Sequence, residues 1–254
     1  QQVVDALERI AKVDLPQVNP ILGSQCTTAY RNKLEFTFSD KEWLTTEQLH
    51  SGEQFPDRNA VGFHIPNGYN KVLDIKKCWL MEDINNQLRL FVKQYALSKG
   101  YTFFDMRNNT GLMRMMMIRV ASTGQLMLVV VFGEHDDSAI VDVMNAVHER
   151  FPSITSLMHV VNTKRNDSLG DQTFVLDYGK EYIEEEMEGL KFRVGPKSFY
   201  QTNSRQAYEL YKVARRMARL TGDELVYDLY TGTGTIANFV SRQARKVIGI
   251  EYVP

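Results

Sequence analysis

Asp228, Tyr230, Gly232, Gly234 and Glu251 are the residues whose types and spacing best suit chemistry. They lie in Leu225-Val-Tyr-Asp-Leu-Tyr-Thr-Gly-Thr-Gly-Thr-Ile-Ala237 and in Lys246-Val-Ile-Gly-Ile-Glu251. Gly232 and Gly234 lack Cβ atoms, so the chain there can turn tightly and lie against a ligand. Glu251, at the carboxyl end of the next strand, can accept hydrogen bonds from both ribose hydroxyls. The stretch reads as a nucleoside-cofactor site. Gly232-x-Gly234-x-x-Ala237 also satisfies a dinucleotide pattern, so the glycines alone do not choose the cofactor. Asp228 puts negative charge where a pyrophosphate would be repelled. S-adenosylmethionine, with its sulfonium and ammonium, suits that charge; a nicotinamide dinucleotide stays open. There is no G-x-x-x-x-G-K-[ST] loop, which argues against a nucleoside triphosphate.

The elements that must position these residues follow from hydrophobic spacing. Leu225, Val226, Tyr227, Leu229 and Tyr230 predict a buried parallel strand. Ile236, Ala237, Phe239 and Val240 predict a helix, and Val247, Ile248 and Ile250 a second buried strand. Upstream, Pro196 to Asn203 is a polar loop, and Ser204 is the expected N-cap of a helix running to about Leu220 and stopped by Gly222. Earlier still, the pattern predicts a helix over 2–12, a half-buried strand over 30–39 and a hairpin pair (61–65 and 69–75). A helix ending at Gly100, a second hairpin (113–121 and 125–132) and a helix over 138–150 follow. The last predicted strands here span 154–162, 173–177 and 190–194; Tyr182 to Met187 is left unassigned. Glu184-Glu-Glu186 with Glu188 reads as a solvated helix face or turn. Together these predict an α+β central domain (1–189) followed by the start of a Rossmann-like α/β domain (190–254).

Composition narrows the class. An apolar fraction of 43% supports a real core, and 30 Lys+Arg against 31 Asp+Glu argue mildly against a chain devoted wholly to nucleic acid. No apolar run approaches the about 18 residues that would span a bilayer. Only two cysteines occur, Cys26 and Cys78, which predicts no disulfide framework and a cytoplasmic setting. They form no Cys-x-x-Cys, and the histidines form no metal-binding cluster, so no metal site is expected from the chain itself. Met113, Met115, Met116 and Met117 read as strand core. Arg31 and Lys33 flank aromatics on a strand face and could contact RNA phosphates, although an ordinary solvated face accounts for them somewhat better.

Ser198-Phe-Tyr-Gln-Thr-Asn203, Asp228-Leu-Tyr-Thr-Gly-Thr-Gly234 and Gly249-Ile-Glu251, in that order, resemble the RNA (uracil-5-)-methyltransferase family, which makes 5-methyluridine in ribosomal and transfer RNA. Tyr30-Arg-Asn-Lys-Leu-Glu-Phe36, Val61-Gly-Phe-His64, Asp74-Ile-Lys-Lys-Cys-Trp-Leu80 and Phe192 to Phe199 extend the resemblance over nearly the whole chain. The resemblance implies S-adenosyl-L-methionine as cofactor, with Gln201, Tyr230, Gly232, Gly234, Thr235 and Glu251 around it. Thr235 departs from the asparagine that many members carry there. Cys78 resembles the last of four cysteines that hold a 4Fe–4S cluster in many members. The other three are not in this sequence, so no cluster is expected on this chain. The family's cysteine nucleophile, which attacks C6 of uracil, and its carboxylate base are expected beyond Pro254. The chain is thus expected to be a fragment, without a Cys-rich segment and the catalytic half, and catalytically incomplete. RNA is the implied partner, ribosomal ahead of transfer RNA. Two other readings remain: a non-catalytic RNA-binding module, and an NAD(P)-dependent oxidoreductase.

Overall fold

The computed structural model describes residues 1–252, with Tyr69 through its backbone alone. At its centre is a hairpin of β4 (Met113–Val120) and β5 (Leu126–Phe132). Every residue of β5 is buried because both faces are covered. Leu126, Leu128, Val130 and Phe132 enter one core, while Met127, Val129 and Val131 enter another. A strand covered on both sides needs such an unbroken apolar run. In β4 the two sets are Met113, Met116 and Ile118, and Met115 and Met117. The alternation shifts at a bulge between Met113 and Met115, where one extra residue turns the following side chains over. The four methionines are strand core, as expected.

Around this hairpin stands a seven-stranded sheet in the order β3-β2-β1-β4-β5-β6-β7. Its other strands are β1 (Lys33–Ser39), β2 (Ala60–Ile65), β3 (Gly68–Asp74), β6 (Ser156–Val161) and β7 (Val175–Gly179). Neighbours are antiparallel except β5 and β6. A parallel pair needs a crossover, which α4 (Asp137–Arg150) supplies. The Asp136 side chain caps α4 by accepting from Ala139 N–H at 3.0 Å. Helix α3 (Ile84–Ser98) packs beside α4 on the first core. The second core is closed by a hairpin of β8 (Ile183–Met187) and β9 (Leu190–Val194), with α5 (Ser204–Ala218) and α6 (Thr235–Val240). Finally, β10 (Leu225–Leu229) and β11 (Lys246–Ile250) pair in parallel around α6. Short helices, α1 (Gln2–Asp5) with a π-helical continuation (Ala6–Ile10) and α2 (Thr46–His50), lie outside these layers. Among the described residues, no helix is long and apolar enough to cross a membrane.

The structure changes several expectations. The expected boundary at 189/190 falls in the turn of the β8–β9 hairpin, and residues on both sides of it share the second core. Glu184 to Glu186 are strand, not a solvated helix or turn, and Glu185 is only 3% exposed. Its Oε2 accepts from Ser122 N–H at 3.0 Å and its Oε1 from the Ser204 hydroxyl at 3.0 Å. The cap of α5 is Asn203, whose side chain accepts from Gln206 N–H; Ser204 is the first helical residue and its hydroxyl is used elsewhere. The helix stops at Ala218, where Arg219 turns left-handed (φ 49°), before Gly222 is reached. Strand β10 is not buried on both faces: Leu225, Tyr227 and Leu229 are exposed, as is Ile250 of β11. Helix α6 covers one face of this two-stranded sheet, and no described element covers the other. The helix predicted over 2–12 forms, but none of its residues is buried.

Candidate functional site

The site begins where β10 runs out. Tyr230 takes a left-handed conformation (φ 59°), followed by Gly232 (φ 54°) and Gly234 (φ 74°). A left-handed tyrosine is uncommon and must be held by its surroundings. Thr231 N–H donates to the Ile250 carbonyl at 3.1 Å, which ties the turn to β11. Gly232 N–H donates to Glu251 Oε2 at 2.8 Å, and Glu251 Oε1 accepts from Tyr252 N–H at 2.9 Å. A carboxylate has about four acceptor positions, and these two bonds orient the group at the mouth of the turn. At Gly232 the space where a Cβ would point is open. At Gly234 a Cβ would come within 3.0 Å of Asn238 Nδ2.

Gly234 is the N-cap of α6 and has no side chain with which to cap it. Asp228 does this work from the strand. Its Oδ2 accepts from Ala237 N–H at 2.9 Å and from the Thr231 hydroxyl at 2.7 Å. One N–H left over at the helix start is thereby satisfied. The carboxylate that the sequence presents as an attraction for a cationic ligand is also an internal brace of the turn. Thr235, the first residue of α6, is buried, and its hydroxyl lies 2.9 Å from that of Thr233. Tyr230 projects into solvent at 87% exposure.

Helix α5 fixes α6 from behind. Tyr208 and Tyr211 pack on the Phe239 ring, and the Arg215 guanidinium lies 4.0 Å from its centre. Burial pushes the Tyr211 phenol up, and the charge of Asp228 pushes it further. Arg215 and Tyr208 also hold Glu188 in the β8–β9 turn and bring its carboxyl down to about 2.

Gln201 lies in the loop between β9 and α5, exposed, with its carbonyl accepting from Asn32 Nδ2 at 2.8 Å. Asn32 N–H donates to the Thr202 carbonyl at 2.7 Å. Arg119, at the end of β4 and 5% exposed, donates to the Ser198 carbonyl at 2.6 Å. Burial lowers the Arg119 pKa, while Glu35 and Glu185 oppose that shift. The loop is thus fastened to the seven-stranded sheet at two points. Neither Asn32 nor Arg119 was singled out by sequence. The signal that existed was Asn32's place between Arg31 and Lys33, but nothing local says that its amide reaches residues almost 170 positions away.

Arg31 and Lys33 line a groove of about 490 Å³ with Leu34, Glu35, Phe63, Leu80 and Thr202. Lys33 is paired with Glu35 at 2.6 Å. The groove reaches Thr202, so Arg31 and Lys33 lie near Gln201 alone among the cofactor candidates placed so far. Cys78 is elsewhere: it is buried in the first core, and Asn86 brackets its backbone N–H and carbonyl. Among the described residues, no three His, Cys, Asp or Glu side chains gather as a metal would require. Cys26 is half-buried beside the Arg205 guanidinium, with Sγ at 3.5 Å.

No family model matches the chain. Over 259 aligned residues it is 60% identical to a protein of Porphyromonas gingivalis named as an uncharacterized RNA methyltransferase, covering all of this chain and 56% of that protein. A protein of the same name from Bacteroides thetaiotaomicron is 54% identical over 257 residues, covering all of this chain and 57% of the relative. The chain therefore spans about half the length of the curated relatives it matches. The fold is similar to that of a Pyrococcus abyssi tRNA (uracil-54, C5)-methyltransferase solved with S-adenosyl-L-homocysteine. The TM-score is 0.70 at 21% identity, over 97% of this chain and 54% of that one. Along its whole length, then, the chain is similar to parts of proteins named as RNA methyltransferases, and its mixed α/β fold is similar to that of one solved methyltransferase.

Proposed function

We propose that the whole protein is an S-adenosylmethionine-dependent methyltransferase acting on C5 of uracil in RNA, with ribosomal RNA ahead of transfer RNA as substrate. The observation that carries the reading is the left-handed turn from Tyr230 to Gly234, with Glu251 hydrogen-bonded across its mouth. The turn fits a nucleoside: it has open space at Gly232, an oriented carboxylate at Glu251 and an exposed ring at Tyr230. Glu251 would accept from the ribose hydroxyls, and Gly232 and Gly234 would let the ligand approach the backbone. Gln201, Tyr230 and Thr235 complete the proposed contacts. When bound, S-adenosylmethionine supplies the methyl group.

Arg31 and Lys33 would meet RNA phosphates along the groove that reaches Thr202. The thiolate that adds to uracil C6, and the base that takes the C5 proton, are assigned to parts of the whole protein beyond this chain. Cys78 is buried and neither cysteine stands in the family's nucleophile motif, so neither is assigned the nucleophile's task. The cell compartment that fits this role is the cytoplasm. The P. abyssi enzyme with the similar fold is named for uracil C5, and that name supports the choice of atom.

The test uses the full-length protein. Calorimetry should show binding of S-adenosylmethionine and S-adenosylhomocysteine but not of NAD(H). Tritium-labelled methyl transfer to ribosomal and transfer RNA, followed by nucleoside digestion, should yield 5-methyluridine, with ribosomal RNA the better acceptor. Methylation at another base would overturn the assignment to uracil. RNA binding without any cofactor binding would favour a non-catalytic RNA-binding protein.

A further inference from the structure

Resting on that reading, we propose that Asn32 is a positioning residue that holds the Gln201 loop in register for the methyl donor. Four observations carry this. The Asn32 amide Nδ2 donates twice, to the Gln201 carbonyl at 2.8 Å and to the Ser204 hydroxyl at 2.7 Å. Its backbone N–H donates to the Thr202 carbonyl at 2.7 Å. Its own carbonyl accepts from Val120 N–H at 2.9 Å, which anchors it to the end of β4. The Ser204 hydroxyl passes the connection on to buried Glu185, at 3.0 Å.

One side chain therefore ties the seven-stranded sheet, the β8–β9 hairpin and the first residue of α5 to the residue proposed to touch the donor. The amide orientation follows from its partners: a carbonyl oxygen can only accept, so the atom facing it is the NH₂ group. The Ser204 hydroxyl gives its proton to Glu185 and so accepts from Asn32. No other residue type of this length supplies two donors in this fork without a charge. Asp in this place would set a carboxylate against the Gln201 carbonyl. Ala would leave the loop held by Arg119 at Ser198 and by backbone alone. Asn32 touches neither donor nor RNA in this account; it acts through Gln201.

The experiment compares wild type, Asn32→Ala and Asn32→Asp in the full-length protein. Calorimetry with S-adenosylhomocysteine gives cofactor affinity, filter binding gives RNA affinity, and circular dichroism against temperature gives folding. Two neutral hydrogen bonds correspond to a loss of affinity of about tenfold. The expected result is about tenfold weaker S-adenosylhomocysteine binding for Asn32→Ala and at least as much for Asn32→Asp. KM for S-adenosylmethionine should rise more than kcat falls, and RNA affinity should stay within about twofold of wild type. Asn32→Asp keeps the size and shape of the side chain, so it answers the question if Asn32→Ala folds poorly. Unchanged S-adenosylhomocysteine affinity in a folded variant overturns the assignment, as does a loss confined to RNA affinity. If wild type binds neither S-adenosylmethionine nor its product, the functional reading itself fails and this assignment falls with it.

Discussion

Replacing Asp228 tests whether the glycine turn is braced from within. Asp228→Ala removes the acceptor for Ala237 N–H and for the Thr231 hydroxyl. Loss of a helix cap costs about 1 kcal/mol and up to about 2. A hydrogen bond to a charged acceptor adds about 1.5–3 kcal/mol. Allowing for overlap between these two figures, Asp228→Ala should weaken the turn by about 2–4 kcal/mol. Asp228→Asn keeps an oxygen in place and loses mainly the charge near the helix start, about 0.3–1 kcal/mol. Hydrogen exchange read by mass spectrometry over residues 228–240 is the direct assay. At about 1.4 kcal/mol per factor of ten, protection of the Ala237 amide should fall about 30- to 1,000-fold in Asp228→Ala and less than about tenfold in Asp228→Asn. Equal losses in the two variants would refute the brace, because charge alone would then explain the effect. A loss below about threefold in Asp228→Ala would refute it outright.

Three further outcomes follow from particular contacts. Leu128→Ala, at a fully buried position of β5, should cost about 2–5 kcal/mol in urea unfolding; Leu225→Ala, on the uncovered face of β10, should cost well under half as much. Glu188 has a folded pKa of about 2 against an ordinary 4.5, so its contribution is complete above pH 4.5 and is lost as pH falls toward 2. Thermal unfolding between pH 5 and pH 2 should show a shallower decline in Glu188→Gln than in wild type. Glu251→Gln should weaken S-adenosylhomocysteine binding by calorimetry about tenfold or more, because a charged acceptor is exchanged for a neutral amide; unchanged affinity would remove Glu251 from the site.

Much of the fold was legible because spacing records burial. The β4–β5 hairpin, α3, α4 and the strand–turn–helix at Gly232 all declare themselves by alternation, periodicity or glycine. What stayed hidden depends on partners far away in sequence. Glu185 looks solvated among three acids; it is strand because it pairs with Phe192 of β9, and Ser122 and Ser204 satisfy its buried carboxylate. Asp228 looks like a ligand-facing charge until Ala237 is seen to donate to it. The left-handed backbone at Tyr230 has no local signature, since tyrosine does not favour it. Leu225 and Tyr227 read as buried because an apolar strand usually is; whether a layer covers each face cannot be read from the strand itself.

Strand β5 has a mechanical consequence. Its even-numbered side chains belong to one core and its odd-numbered ones to the other, and all seven residues share one hydrogen-bonded backbone. Neither core can melt without pulling on the strand that seals its counterpart. The helices over one face and the loop that carries Gln201 on the other should therefore lose structure in a single concerted event. A protease cut at 189/190 would not release two separately folded halves, because it would open the hairpin that closes the second core.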